Sequence, residues 1–148
     1  MQEVKSEPVP LVGGKILVAH GGGDIVIRKR DRTRVAVSVP ASSKSVWTPC
    51  VDRMVKTALR HYPAEDLCGV QLTGMGDDGA EAMAELYKGG GYTIAESEES
   101  AVIYGMPREL IERGGASVVL HHKEIGAQLT AVCRRRRRAS AQNGVTAS

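Results

Sequence analysis

From residue 68 onward the chain alternates short apolar β-type runs with helical patterns, and glycines punctuate the junctions. Cys68–Thr73 reads as a strand, and Gly74, Gly76 and Gly79 lead from it into a helical pattern over 79–88. Gly89-Gly90-Gly91 stops that helix, with Ala80, Met83, Ala84 and Tyr87 expected to face inward. "YTIAES" (92–97) is the next strand. A Glu/Ser loop, a short helix from Pro107, a strand at Ala116–Leu120 and a helix around Lys123–Val132 follow. Strands separated by helices pair in parallel, because a tight hairpin cannot join them. The expected fold is therefore α/β, a partial doubly wound and mostly parallel sheet.

The first third of the chain obeys a different rule. Residues 13–39 carry β-type runs joined by polar turns at Gly21-Gly22-Gly23-Asp24 and Arg30-Asp31-Arg32, which predicts an antiparallel meander of about three strands. Thr48 and Pro49 look like an N-cap and first helical residue. Val51, Met54, Val55, Ala58 and Leu59 then form one apolar stripe at helical spacing, ended by Tyr62-Pro63. Residues 1–10 read as a disordered or linking lead-in.

At 148 residues the chain is one domain's worth of sequence. No apolar run approaches the roughly 20 residues of a membrane helix, and the N-terminus has no signal-like apolar core. The formal net charge of +3 includes the run Arg134–Arg138; without that run the balance is slightly negative. The run reads as a solvated, disordered tail (134–148). It lacks the interleaved aromatics of a nucleic-acid surface, so nucleic-acid binding is not expected. Three cysteines (Cys50, Cys68, Cys133) without metal-ligand spacing read as free thiols in a reducing cytoplasm, and no cofactor is implied.

"AHGGGD" (19–24) superficially matches an oxyanion motif of lipases, but no G-x-S-x-G elbow follows it, and a turn between strands explains it. "GVQLTGMGDDGAEAM" (69–83) is the denser stretch. Asp78, three residues before Glu81, reads as a variant capping box at a helix start. The same carboxylate stands beyond the carboxyl end of a strand, where α/β sheets place their ligands, and there it could orient a histidine. Composition leaves both readings open.

"LTGMGDDGAEAM" followed by "YTIAESEESAVIYGMPRELIERGGA" closely resembles the catalytic domain of the chemotaxis protein-glutamate methylesterases, the CheB type. "GGKILVAHGGGDIVI" looks like that family's strand meander, and "TPCVDRM" is similar to its R-P-S-V-D segment. The likeness covers roughly residues 10–125. It implies hydrolysis of glutamyl methyl esters on chemoreceptors, and deamidation of certain glutamines, by a Ser/His/Asp triad. By motif position Asp78 corresponds to the triad aspartate, Asp77 to the variable position before it, and Met75 to the methionine of the oxyanion loop.

The family's serine lies in a glycine-rich turn and its histidine in a Q-H-M-P-like segment, and residues 1–148 contain neither. A lone aspartate is neither nucleophile nor proton shuttle. The expectation is thus the C-terminal part of a methylesterase catalytic domain over 11–133, truncated or split, and inactive by itself. A separately encoded N-terminal half could restore activity; the alternative is a non-enzymatic module that binds chemoreceptors or another partner. A basic-tail RNA-associated protein is a third reading. Ser97, Ser100, His121 and His122 are the local residues that could rebuild a triad, but they read as loop and helix-start residues. His20 reads as a strand-end residue, His61 as a helix-end charge partner, and Cys50, where the family has serine, as a packed thiol. Arg108 and Glu109 match the family's loop and read as an ion pair with a neighbouring helix. A partial sheet would leave one edge uncovered, so the chain is expected to be marginally stable or oligomeric.

Overall fold

A computed structural model describes residues 1–43 and 46–145, with side chains through residue 136. Three sheets, four α-helices and one short 3-10 helix (Ala64–Asp66) are present among the described residues. β1 (Gln2–Val4) runs parallel to β3 (Leu17–Ala19). β2 (Val9–Pro10) pairs antiparallel with β5 (Thr33–Pro40), which pairs along its whole length with β4 (Gly23–Arg30). α1 (Val51–Leu59) follows. β6 (Cys68–Gln71), β7 (Tyr92–Glu96) and β8 (Val118–Leu120) form a parallel sheet in that order. α2 (Ala80–Lys88) and α3 (Met106–Glu112) are the crossovers, and α4 (His122–Val145) closes the chain. The α/β reading with antiparallel strands toward the N-terminus holds.

Four expectations change. Residues 1–10 are not a loose lead-in: Val4 is fully buried in β1, and Val9 is buried in β2. β3 leaves the meander to pair with β1, so the antiparallel unit is β2-β5-β4. α1 starts two residues later than Thr48-Pro49 implies, with Cys50 as its N-cap. The segment read as a disordered tail is helical through Val145, and residues 146–148 lie outside the described region.

Helical periodicity explains a smaller correction in α2. Ala82, Met83 and Leu86 share the face that packs on Val55, Ala95 and Leu110, whereas Tyr87 is turned outward and 41% exposed. A second core of Val4, Val9, Ile25 and Ala36 sits under the antiparallel strands. Met54 on α1 packs against both cores, so this helix joins the two halves. Among the described residues β6 has a strand neighbour on one side only. No described helix is long and apolar enough to cross a membrane.

Candidate active site

The carboxyl end of β6 runs into the loop Leu72–Gly79, and a second loop clasps it. Gly74 forms a parallel bridge with Tyr104, and its amide donates to the Ile103 carbonyl at 3.0 Å. The Met106 amide returns a bond to the Gly74 carbonyl at 2.9 Å. Gly105 is required here by space: a Cβ would stand 2.7 Å from the Gly74 oxygen and 3.2 Å from the Gly76 nitrogen. The two sequence blocks that carry the methylesterase resemblance are therefore physically interlocked. Buried Glu96, at the end of β7, supports the same loop by accepting the Thr73 amide at 2.8 Å. Met75 stands on this loop and is 66% exposed.

Asp78 does not cap the helix that follows it. The N-cap of α2 is Gly79, at φ 89°, and Glu81 reaches across to the Lys56 ammonium at 2.6 Å rather than back to the backbone. The Asp78 carboxylate turns instead to the amino end of α1. Oδ2 accepts the Val51 amide at 2.6 Å; Oδ1 accepts the Asp52 amide at 3.1 Å and the Cys50 thiol at 3.3 Å. In exchange, Asp52 Oδ1 accepts the Ala82 amide in the first turn of α2 at 2.8 Å. Each helix thus has orphan amides at its amino end taken by an aspartate that lies at the amino end of the other: two in α1 by Asp78 and one in α2 by Asp52. Gln71, also buried, fixes the Asp78 backbone by donating to its carbonyl at 2.9 Å. An ionised carboxylate has about four acceptor positions. Among the described residues three of those of Asp78 are taken, and the remaining one belongs to Oδ2.

A second buried carboxylate, Asp24 at the start of β4, completes the arrangement. Its oxygens accept the Cys50 amide at 2.9 Å, the Ser42 amide at 3.1 Å and the Arg53 guanidinium at 2.6 Å. Burial pushes its pKa up, but the Arg53 hydrogen bond and the two amides more than offset this, so the carboxyl lies below the ordinary aspartate value. The sequence signal for Asp24 was hidden inside a glycine turn, and no spacing rule tied it to residues 42–53.

An open cleft of about 740 Å³ lies before these groups. Its lining includes the acidic Asp52, Asp77 and Asp78 together with Cys50 and Trp47, and the cations Arg28, Arg53, Lys56 and Arg60. The Trp47 indole lies against Gly76, with Cζ2 2.7 Å from where a Cβ on that glycine would stand.

The other candidate residues are not gathered here. His121 and His122 stack on each other with ring centroids 4.5 Å apart. Ser100 Oγ donates to Glu96 Oε1 at 2.9 Å and accepts the backbone amide of His122, not its imidazole. Among the described residues neither imidazole bonds to Ser97 or Ser100, so no substitute triad forms there. His20 forms an exposed pair with Glu3 at 2.6 Å, tying β3 to β1. Arg108 and Glu109 pair with Glu112 and Arg113, within their own helix and its cap rather than with a neighbouring helix. Cys50 is a buried thiol, as expected, but it also works as the N-cap, accepting the Arg53 amide at 3.4 Å.

Residues 2–129 match the family model for CheB methylesterase. Protein-glutamate methylesterase/protein-glutamine glutaminase 3 of Rhodospirillum rubrum is 51% identical over 126 residues, covering 85% of this chain and 34% of the relative. The corresponding protein 2 of Rhodopseudomonas palustris is 48% identical over 120 residues, covering 81% and 33%. The Thermotoga maritima CheB methylesterase catalytic domain superposes with a TM-score of 0.79 at 28% identity, covering 86% of this chain and 66% of that one. The chain spans about a third of the length of the curated relatives it matches. With this likeness over most of its length, the chain belongs to the CheB methylesterase family.

Proposed function

We propose that this chain supplies the aspartate-bearing part of a protein-glutamate methylesterase centre, with a serine and a histidine contributed by polypeptide outside residues 1–148. The observation that carries the reading is the state of Asp78. It is a buried carboxylate at the carboxyl end of a parallel sheet, with three acceptor positions fixed and one, on Oδ2, left for a further donor. An imidazole N–H placed there would be held in the tautomer that lets its other nitrogen take the serine proton. Asp78 would also stabilise the imidazolium that forms. The clasped Gly74–Gly76 loop, which carries Met75, would be the oxyanion-side element. The substrates are glutamyl methyl esters and glutamines of chemoreceptors.

The test is reconstitution. This chain is mixed with a polypeptide covering the rest of a methylesterase catalytic domain, and methanol release from methylated receptor is followed. Release that depends on both parts, and is lost with Asp78→Asn, is the expected result. No release from a mixture that forms a stable complex would overturn the catalytic reading and leave the binding module.

A further inference from the structure

The β4–β5 hairpin ends in Arg28-Lys29-Arg30-Asp31-Arg32-Thr33-Arg34, five cations and one anion in seven residues, all exposed. The turn is tight, with Asp31 at φ 54° between the paired residues Arg30 and Thr33. Arg34 anchors the arm: its Nε donates to the His61 carbonyl at 2.7 Å and its guanidinium lies 4.3 Å over the Tyr62 ring. The other four cations have no such employment. Among the described residues none of Arg28, Lys29, Arg30 and Arg32 forms an ion pair. Lys29 stands directly opposite Arg34 in the strand register, an unfavourable placement of like charges.

This charge is not isolated from the candidate site. Strand alternation places Arg28 and Arg30 on the same face as Asp24 and Val26. Val26 and Arg28 line the cleft that Asp78 also lines, and so does Arg60, the C-cap residue of α1. A band of cations therefore runs from the hairpin tip to the cleft. Such a band raises the local concentration of an anionic partner and orients its approach.

We propose that the hairpin tip, with Arg60, is a docking arm for an acidic polypeptide segment, the glutamate-bearing stretch of the protein substrate. This rests on the methylesterase reading, in which the reacting group is a glutamyl side chain and the product adds a carboxylate to that stretch. The chemistry of the tip favours a polypeptide over the other anionic surfaces. It carries no aromatic side chain on which bases could stack, and the nearby Tyr62 is covered by Arg34. It also carries no apolar side chain to enter a lipid interface.

The experiment needs no catalysis and uses the full chain. A synthetic helical peptide with glutamates along one face, and its all-glutamine counterpart, are titrated by fluorescence anisotropy at low and near-physiological salt. The expected result is salt-sensitive binding of the glutamate peptide alone, weakened about tenfold or more in R28S/K29S/R30S/R32S, since several exposed ion pairs are lost together. Replacing Arg134–Arg138 by serine should leave that affinity unchanged. Arg34 is kept so that the hairpin remains anchored; if the fourfold variant fails to fold, R32E at the turn reads the same effect. Unchanged affinity in the folded hairpin variants, or a loss confined to the Arg134–Arg138 variant, would overturn the proposal. So would preferential competition by polyuridylate or by phosphatidylserine vesicles. Because binding is measured without ester hydrolysis, a failed reconstitution of activity and a failed docking arm are separate results.

Discussion

Two carboxylates approach the amino end of α1 from opposite halves of the molecule, and they differ in how they are employed. Asp24, from the antiparallel half, takes the Cys50 amide and closes on a permanent cation, Arg53. Asp78, from the parallel half, takes the next two amides and the Cys50 thiol, and among the described residues no cation pairs with it. Both are almost fully buried. A buried carboxylate tied to a guanidinium has its charge already answered and serves as a clamp. One held only by amides and a thiol keeps one acceptor position for another group. The difference separates a residue that positions from a residue that is available to act.

The sharpest way to break this comparison is to neutralise each carboxylate in the reconstituted enzyme. Asp78→Asn is expected to lower kcat by about 10³–10⁴, because the amide no longer holds the histidine in its productive tautomer. Asp24→Asn should lower kcat less than about tenfold, since it acts only through the position of α1. Equal losses for the two variants, measured as methanol release under saturating substrate, would erase the distinction.

The two halves can also be compared through their left-handed glycines. Gly79 (φ 89°) abuts α1, and a Cβ there would meet Val51 Cγ1 at 2.6 Å and Gln71 Oε1 at 3.1 Å. Gly22 (φ 85°), in the turn before Asp24, has nothing within 4 Å. Gly79→Ala therefore adds overpacking to the left-handed backbone cost, about 2–4 kcal/mol in all, whereas Gly22→Ala is expected to cost about 1–2 kcal/mol. Urea unfolding of the two variants gives the difference directly. A Gly22 variant as damaged as the Gly79 variant would mean that the turn before Asp24 is no less constrained than the packed one.

What could be read in advance follows the same division. The parallel half is local: each strand, glycine turn and helix lies in one sequence window, so β6, α2, β7 and α3 are legible from periodicity and breakers. The antiparallel half is not. β1 pairs with β3 across an intervening strand, and nothing in "QEVKSEPVP" reports that Val4 will be buried by residues far along the chain. The site divides likewise. Asp78 stands in a motif and could be singled out, but its target, the amino end of α1, lies 26 to 28 residues upstream. Asp24 and Asp52 have no local pattern to mark them. The Arg134–Arg138 run reads as a disordered tail because charge argues against packing, yet charge alone does not stop a helix already nucleated at His122.

Removing the clamp tests stability rather than chemistry. Asp24→Ala strands the Arg53 guanidinium and two amides; because the Arg53 side chain keeps 36% of its exposure, about 2–3 kcal/mol is expected, below the cost for a fully buried pair. The same residue sets an acid limb. Its folded pKa lies below the ordinary value of 3.8, so its contribution is complete above that value and is lost as pH falls through the folded one. Thermal melts should therefore show a steeper fall in Tm below about pH 4 for the native chain than for Asp24→Asn, whose amide does not titrate. Parallel curves would locate the acid sensitivity in other carboxylates.

The smallest effect probes the residue that both carboxylates share. Cys50 donates its amide to Asp24 and its thiol to Asp78, and its sulfur accepts the Arg53 amide. Serine keeps all three bonds and improves two of them. Its hydroxyl is the stronger donor to a carboxylate and the better N-cap acceptor, at some loss of apolar burial. Cys50→Ser is thus expected to stabilise the chain by a few tenths to about 1 kcal/mol and to tighten the hold on Asp78 without filling its open acceptor. A loss of more than about 1 kcal/mol in urea unfolding would mean that position 50 is held by packing of the sulfur. The meeting point of the two halves would then be apolar in character, and the carboxylates would be its flanks rather than its cause.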